Sequence, residues 1–134
     1  IFRMLQEFFT TTATILSSDT LKLFWKNYTP LKKSHRTIGF KLNSSLITSG
    51  GRFLSKKAIG HSGFTGTSVW LEPGTEYVYI LLSNRIHVLG SEPGMEKVKK
   101  LKKKYDKMVN FNKVRRKLHR LIKQEAVKRE KYGN

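Results

Sequence analysis

The chain has 134 residues, no cysteine and a formal net charge of +18, with 27 Lys and Arg against 9 Asp and Glu. This composition excludes disulfides and thiolate metal sites, and no run approaches the roughly 20 apolar residues that a membrane-spanning helix needs. The length predicts one domain that is large enough to bury a core of its own.

The positive charge is concentrated at the C-terminal end of the chain. Residues 95–134 contain 16 basic and 4 acidic side chains, a net +12, whereas residues 1–94 contain 11 and 5, a net +6. So large a one-sided charge favours a polyanionic partner, with RNA first and an anionic membrane surface second. The first residue is Ile1 rather than Met, so we expect a processed product, a fragment or a chain whose start is missing.

Two short helices are predicted in the N-terminal part. The first is indicated by apolar residues at helical spacing, namely Phe2, Leu5, Phe8 and Phe9, and it should end near residues 10–14. Ser17 or Ser18 is a suitable N-cap for the second helix. That helix should stop near residues 28–29, because Pro30 disfavours helical geometry in the residue before it.

Four strands are predicted next, at about Arg36–Leu42, Lys57–Ser62, Gly66–Leu71 and Glu76–Ser83. The polar stretch 43–55 contains Gly50 and Gly51 and is predicted to be a loop. Pro73 and Gly74 fit a type II turn, in which Gly74 would supply a positive φ. The last strand is apolar on both faces, which predicts a strand that is covered on both sides of the sheet.

Two basic amphipathic helices are predicted after a break at residues 91–94. The apolar stripe of the first consists of Met95, Val98, Leu101, Tyr105 and Met108. The stripe of the second consists of Phe111, Val114, Leu118, Leu121 and Ile122, and this helix should run to about Lys131. The predicted fold class is therefore α+β: a three- to four-stranded antiparallel sheet with two N-terminal helices and two basic C-terminal helices.

Residues 60–85 contain motifs that resemble a known family. The runs GHSGFTGTS at 60–68 and LLSNR at 81–85 have the order and separation seen in the C-terminal part of serine β-lactamase-related hydrolases. That family includes class C β-lactamases, penicillin-binding proteins and related esterases. The resemblance covers residues from about 1 to 92 and 110 to 125, and 97–107 looks like an insertion. It implies a partial β-lactamase-like domain over 1–92, with 93–134 as a basic helical region that packs on it or extends from it.

The resemblance also implies a vestigial active-site motif. His61, Ser62 and Gly63 match the family's third motif, and the backbone N–H of Phe64 would be its oxyanion-hole donor. However, no serine in the chain has a lysine three positions later, and the only Tyr-x-Asn, at 132–134, lies on the wrong side of the motif. A third motif without a nucleophile can shape a pocket but cannot perform acyl transfer. We therefore expect no catalytic residue and no enzyme activity. We also expect no cofactor, and no metal site because His35, His87 and His119 lack metal-ligand spacing.

A further implication of the resemblance concerns the edge of the sheet. In that family two N-terminal strands lie beside the last strand, and these strands are missing from the chain. The strand would then have an open apolar edge, which promotes aggregation unless something covers it. We expect another chain, or a rearranged segment, to lie against Tyr77, Val78, Tyr79, Ile80, Leu81 and Leu82.

Two functional hypotheses from different classes follow. The first is a non-catalytic structural protein of a ribonucleoprotein, in particular a mitochondrial ribosomal protein that contacts rRNA and neighbouring proteins, with a cytoplasmic location as the alternative. The second is the C-terminal fragment of a serine hydrolase that is active only with a separate N-terminal chain. The first hypothesis assigns RNA contacts to Lys97, Lys99, Lys100, Lys102, Lys103, Lys104, Lys107, Lys113, Arg115, Arg116, Lys117, Arg120 and Lys123. The simpler alternative for these side chains is a solvated helix face.

Overall fold

The computed structural model describes residues 2–10, 14–44, 48–84, 96, 99–100, 103–104 and 110–133. Its elements are α1 (Phe2–Gln6), α2 (Ser18–Trp25), β1 (Lys41–Leu42), β2 (Ile59–Ser62), β3 (Gly66–Glu72), β4 (Tyr77–Asn84) and α3 (Phe111–Tyr132). The predicted α+β class is confirmed, with a four-stranded antiparallel sheet and a C-terminal helix. The helix predicted around 95–108 lies largely outside the described residues, of which 96, 99, 100, 103 and 104 are helical.

The four strands form an antiparallel meander in the order β1-β2-β3-β4. Gly60 lies opposite Trp70, which in turn lies opposite Tyr79. The pairing of β3 with β4 shifts register between Gly66 and Ser68, and Gly66 has a φ of 102°. This irregularity follows from the freedom of glycine to adopt a positive φ in a strand.

The prediction of a strand over Arg36–Leu42 is wrong in extent. Only Lys41–Leu42 is a strand, and Arg36 forms an isolated bridge with Lys41. The chain reverses between these two residues through Gly39, whose φ is 73°. The alternating apolar and polar residues therefore do not form one strand here, because the glycine in their middle adopts a turn conformation.

The turn between β3 and β4 also differs from the type II turn that we predicted. Glu72 pairs with Tyr77, so the loop has four residues, Pro73 to Glu76. Loops of this length are most often built around a type I turn. The positive φ falls on Glu76, at 56°, and not on Gly74.

One face of the sheet packs against α1, α2 and the β1 region. The buried residues of this core are Leu5, Leu42, Ile59 and Leu71. Phe8 makes edge-to-face contacts with Phe24, Trp25 and Phe40 at centroid distances of 5.4–6.0 Å. The Ser17 hydroxyl caps α2 by accepting a hydrogen bond from the Thr20 amide, as predicted. Helix α2 ends at Trp25, before residues 28–29 where Pro30 was predicted to stop it.

The other face of the sheet packs against α3. Trp70 and Tyr79 are buried here beside Leu54 and Ala58. Trp70 lies directly over Gly60, where a Cβ atom would overlap the indole. This core therefore depends on a glycine that gives the indole room.

The strand β4 is not covered on both faces, contrary to the prediction. Tyr79 is buried beneath α3, but on the opposite face Ile80 is 40% exposed and Leu82 is 78% exposed. β4 is also the last strand of the sheet, and no described strand pairs with its outer edge. Hydrophobic character alone did not identify the exposed side chains, because it does not show which positions of a strand another element covers.

Candidate nucleic-acid interface

Helix α3 buries two polar residues against the sheet, and three of the five residues of its apolar stripe are exposed. Arg115 is 4% exposed and His119 is 1% exposed, whereas Val114, Leu121 and Ile122 are exposed. The helix begins after Asn110, whose side-chain oxygen accepts from the Lys113 amide. The buried face is therefore rotated away from the apolar stripe that the sequence indicated.

Arg115 is buried and forms hydrogen bonds within the protein. Its guanidinium donates to the Gly66 carbonyl at 2.6 Å and to the Asn112 side chain at 3.0 Å. Such hydrogen bonds offset the cost of burying the charge. This burial removes Arg115 from the set of side chains that can reach an external phosphate.

Three other residues of α3 hold the loop 48–53 against the helix. Arg116 donates to the Thr48 carbonyl at 3.2 Å, His119 is 3.0 Å from the Gly50 carbonyl, and Lys123 donates to the Phe53 carbonyl at 2.9 Å. Gly51, with a φ of 77°, lies so close to Arg116 that a Cβ atom would be 2.6 Å from its Cγ. The loop is therefore fixed by several hydrogen bonds and one close contact.

The hydrogen bond of His119 shows which of its ring nitrogens carries a proton. Because a carbonyl only accepts, Nδ1 must carry a proton and donate to Gly50. Burial lowers the pKa of His119, the Gly50 hydrogen bond opposes this shift, and the nearby Arg115 lowers the pKa further. His119 also packs against the Tyr79 ring at a centroid distance of 5.2 Å. It is therefore a neutral donor in the core at pH 7.

A groove of about 800 Å³ lies between α3 and the segment 43–56. The described residues that line it include six basic side chains and no acidic one. The six are Arg52, Lys56, Lys113, Arg116, Lys117 and Arg120. Arg52, Lys56, Lys113 and Lys117 are exposed, so their charged groups are available to a ligand.

Phe53 lines this groove and lies close to two guanidinium groups. The Cζ atoms of Arg52 and Arg120 are 5.5 and 5.8 Å from the centroid of the ring. The Nε of Arg120 is buried and has no hydrogen-bond partner among the residues that the structure describes.

Arg52, Phe53 and Lys56 were missed by the sequence reasoning, because the charge count pointed to the C-terminal 40 residues. The available signal was a pair of cations around Phe53, directly after Gly50 and Gly51.

The remaining predicted RNA contacts fall into two sets. Lys99, Lys100, Lys103 and Lys104 are helical and exposed, and Lys100 forms an ion pair with Glu96 at 3.5 Å. Pairs of this exposed kind contribute little to stability, so these lysines stay available. Lys97, Lys102 and Lys107 lie outside the described residues.

The hydrolase-like motif lies at the end of β2 and in the turn that follows it, five to eight residues after Lys56 of the groove. His61 is exposed and pairs in register with Val69, Ser62 is partly buried, and Phe64 is 44% exposed. The Gly63 amide donates to the Thr67 carbonyl at 2.8 Å, which closes the turn into β3. Among the described residues, no group of three or more acidic or histidine side chains is placed to hold a metal ion.

Comparison with protein-family models, curated proteins and solved structures found no match to this chain. The resemblance to serine hydrolases therefore rests on the sequence motifs alone. Within the part of the chain that the structure describes, every helix is too short or too polar to cross a bilayer.

Proposed function

We propose that the protein is a non-catalytic structural component of a ribonucleoprotein and that it binds RNA through α3 and the segment 43–56. The observation that supports this proposal is the groove with six basic and no acidic lining residues. A mitochondrial ribosome is the particle that we propose, since the chain combines a net charge of +18 with a hydrolase-like motif that lacks its nucleophile. Neighbouring proteins would contact the outer edge of β4.

The electrostatic argument gives a quantitative expectation. Each phosphate that a basic side chain neutralises releases counterions, and for single-stranded RNA the slope of log K against log salt changes by about −0.7 per contact. The four exposed groove cations, Arg52, Lys56, Lys113 and Lys117, would therefore contribute a slope of about −3. A solvated helix face without a ligand would show no such specific dependence on these four residues.

The test is RNA binding by fluorescence anisotropy between 50 and 300 mM KCl. We expect the double variant Lys113→Glu/Lys117→Glu to bind more weakly and with a shallower salt slope than the wild type. The matched control is Arg3→Glu/Lys32→Glu, which changes the net charge equally at exposed positions outside the groove. Equal losses in both variants would show that only net charge matters, and absence of wild-type binding would refute the proposal.

A second candidate function is the C-terminal part of a serine hydrolase that is completed by a separate chain. The observation that favours it is the position of β4 at the end of the sheet, with Leu82 78% exposed, where the resemblance implies two further strands. In this case His61, Ser62 and Gly63 would line a site whose serine and lysine come from the partner. A serine-reactive phosphonate should label the assembled pair but neither chain alone. An assembled pair that is not labelled would exclude this candidate.

A further inference from the structure

The basic groove continues into a second cavity of different chemistry. This neighbouring cavity has a volume of about 430 Å³ and shares Phe53 and Arg120 with the groove. Its other lining residues are Lys123, Gln124, Val127 and Lys128. Phe53 and Arg120 therefore lie between the basic groove and a cavity in which an apolar side chain and an amide accompany three cations.

We propose that the two cavities bind consecutive parts of a single-stranded nucleotide segment, with phosphates in the groove and a base in the second cavity. This inference rests on the proposed RNA-binding function. It adds that the RNA is single-stranded and names the residues that contact its bases. Sequence-tolerant binding of single strands combines a positively charged groove with aromatic rings on which bases stack. Both components are present here within one connected surface.

Contacts at the backbone and near the ring restrict the position of Phe53, which suits the ring to stacking. Lys123 holds its backbone carbonyl, and the guanidinium groups of Arg52 and Arg120 lie within 6 Å of the ring. A base that stacks on a preorganised ring loses less free energy to ordering than one that binds a mobile side chain. Arginine guanidinium planes also stack on bases, so Arg120 extends the platform.

The second cavity offers the functional groups that a base needs. Val127 is exposed and provides an apolar surface, and Gln124 is exposed and carries both a donor and an acceptor. The amide can thus pair with the edge of an unstacked base. In a duplex the base edges and faces are engaged in pairing and stacking, so this cavity discriminates against double-stranded RNA.

The experiment compares a short single-stranded RNA with the duplex of the same sequence on the full chain. We expect tighter binding to the single strand. Phe53→Leu should weaken that binding by about 5- to 150-fold, the range for loss of one stacked base, and leave the salt slope unchanged. Phe64→Leu is the matched control, because Phe64 is an exposed phenylalanine at the other end of β2. Urea unfolding of both variants verifies that each is folded.

A second readout does not depend on any variant. A single strand that carries 2-aminopurine should change its fluorescence when this base leaves the stack of its neighbours and packs on Phe53 of the wild-type protein. Absence of RNA binding by the wild type would overturn both this inference and the proposed function. Binding that is equal for single strand and duplex, or equal in Phe53→Leu and Phe64→Leu, would overturn the inference and leave the proposed function intact.

Discussion

Basic residues that are close in sequence on α3 have different surroundings. Arg115 is buried against the Gly66 carbonyl, whereas Lys117, two positions later, is exposed in the groove. Arg116 lines the groove but already donates to Thr48. The charge of a residue is visible in the sequence. Whether that charge is available to a ligand depends on whether a carbonyl of the sheet or loop accepts hydrogen bonds from the side chain.

The buried His119 makes stability depend on pH. Its pKa is lowered from 6.5 in the folded protein, so the unfolded chain takes up a proton more readily. The free energy of unfolding should therefore fall as the pH drops below about 6.5, and the loss is complete once the pH is below the lowered folded-state pKa. Urea unfolding at pH 7.5, 6.5 and 5.5 measures this change.

The control for this prediction separates His119 from other titrating groups. His119→Gln should lose the part of the pH dependence between 7.5 and 5.5, and His61→Gln, at an exposed position on β2, should retain it. An identical pH dependence in the wild type and in His119→Gln would contradict the assignment.

Glu76 has a backbone conformation that suits glycine. Its φ of 56° lies in the left-handed region, which costs most residues other than glycine roughly 1–2 kcal/mol. A glycine avoids this cost, but its greater conformational freedom in the unfolded state offsets about 0.5–1 kcal/mol of the gain. We therefore expect Glu76→Gly to raise the free energy of unfolding by about 0.5–1 kcal/mol. Glu76→Ala is the control, since it removes the same carboxylate and keeps a Cβ, and urea unfolding should show no such gain for it.

Among the elements, β2 and β3 depend on a close approach at one residue. A Cβ atom at Gly60 would overlap the Trp70 indole and the Val69 carbonyl. Gly60→Ala should therefore destabilise the protein by about 1–3 kcal/mol, because Trp70 must move in a packed core. At Gly74 the nearest atom would be 3.9 Å from an added Cβ, so Gly74→Ala serves as the control in thermal unfolding. A small effect at Gly60 would show that the indole relaxes at little cost.

The orientation of α3 is the second feature at this scale. The helix has nine basic residues and two acidic ones, a net +7, and three of the five residues of its apolar stripe are exposed. The rotation places Arg116 and Lys123 on the loop 48–53 and directs the cationic side of the helix into the groove. The placement of the cationic side chains of α3 thus follows from the face that its hydrogen bonds select.

At the scale of the whole molecule, strong positive charge is combined with a sheet edge that no described strand covers. Mutual repulsion at +18 opposes self-association, whereas the outer edge of β4, unpaired within the described part of the chain, favours it. We expect the wild type to associate when salt screens its charge, and Leu82→Lys to reduce this association. Light scattering as a function of NaCl concentration measures the effect, with Leu31→Lys as a control at a fully exposed leucine away from the edge. Equal scattering by the two variants would show that β4 is not the contact.

Local sequence patterns were sufficient for the type and approximate position of most elements. The apolar period, the Ser17 cap and the Pro73-Gly74 turn predicted α1, α2, α3 and the three long strands, because each of these signals acts within a few residues. The same reasoning failed at Gly39 and Glu76, where the backbone conformation depended on which strands pair.

The candidate site could be predicted only in part, and the reason is the sequence separation of its contacts. The charge count pointed to α3, but the groove exists because Arg116, His119 and Lys123 bind carbonyls that lie 68, 69 and 70 residues earlier in the chain. Those hydrogen bonds bring Arg52, Phe53 and Lys56 beside the helix and bury one face of it. Composition therefore established that the protein is polycationic, and long-range hydrogen bonding established where that charge can meet a ligand.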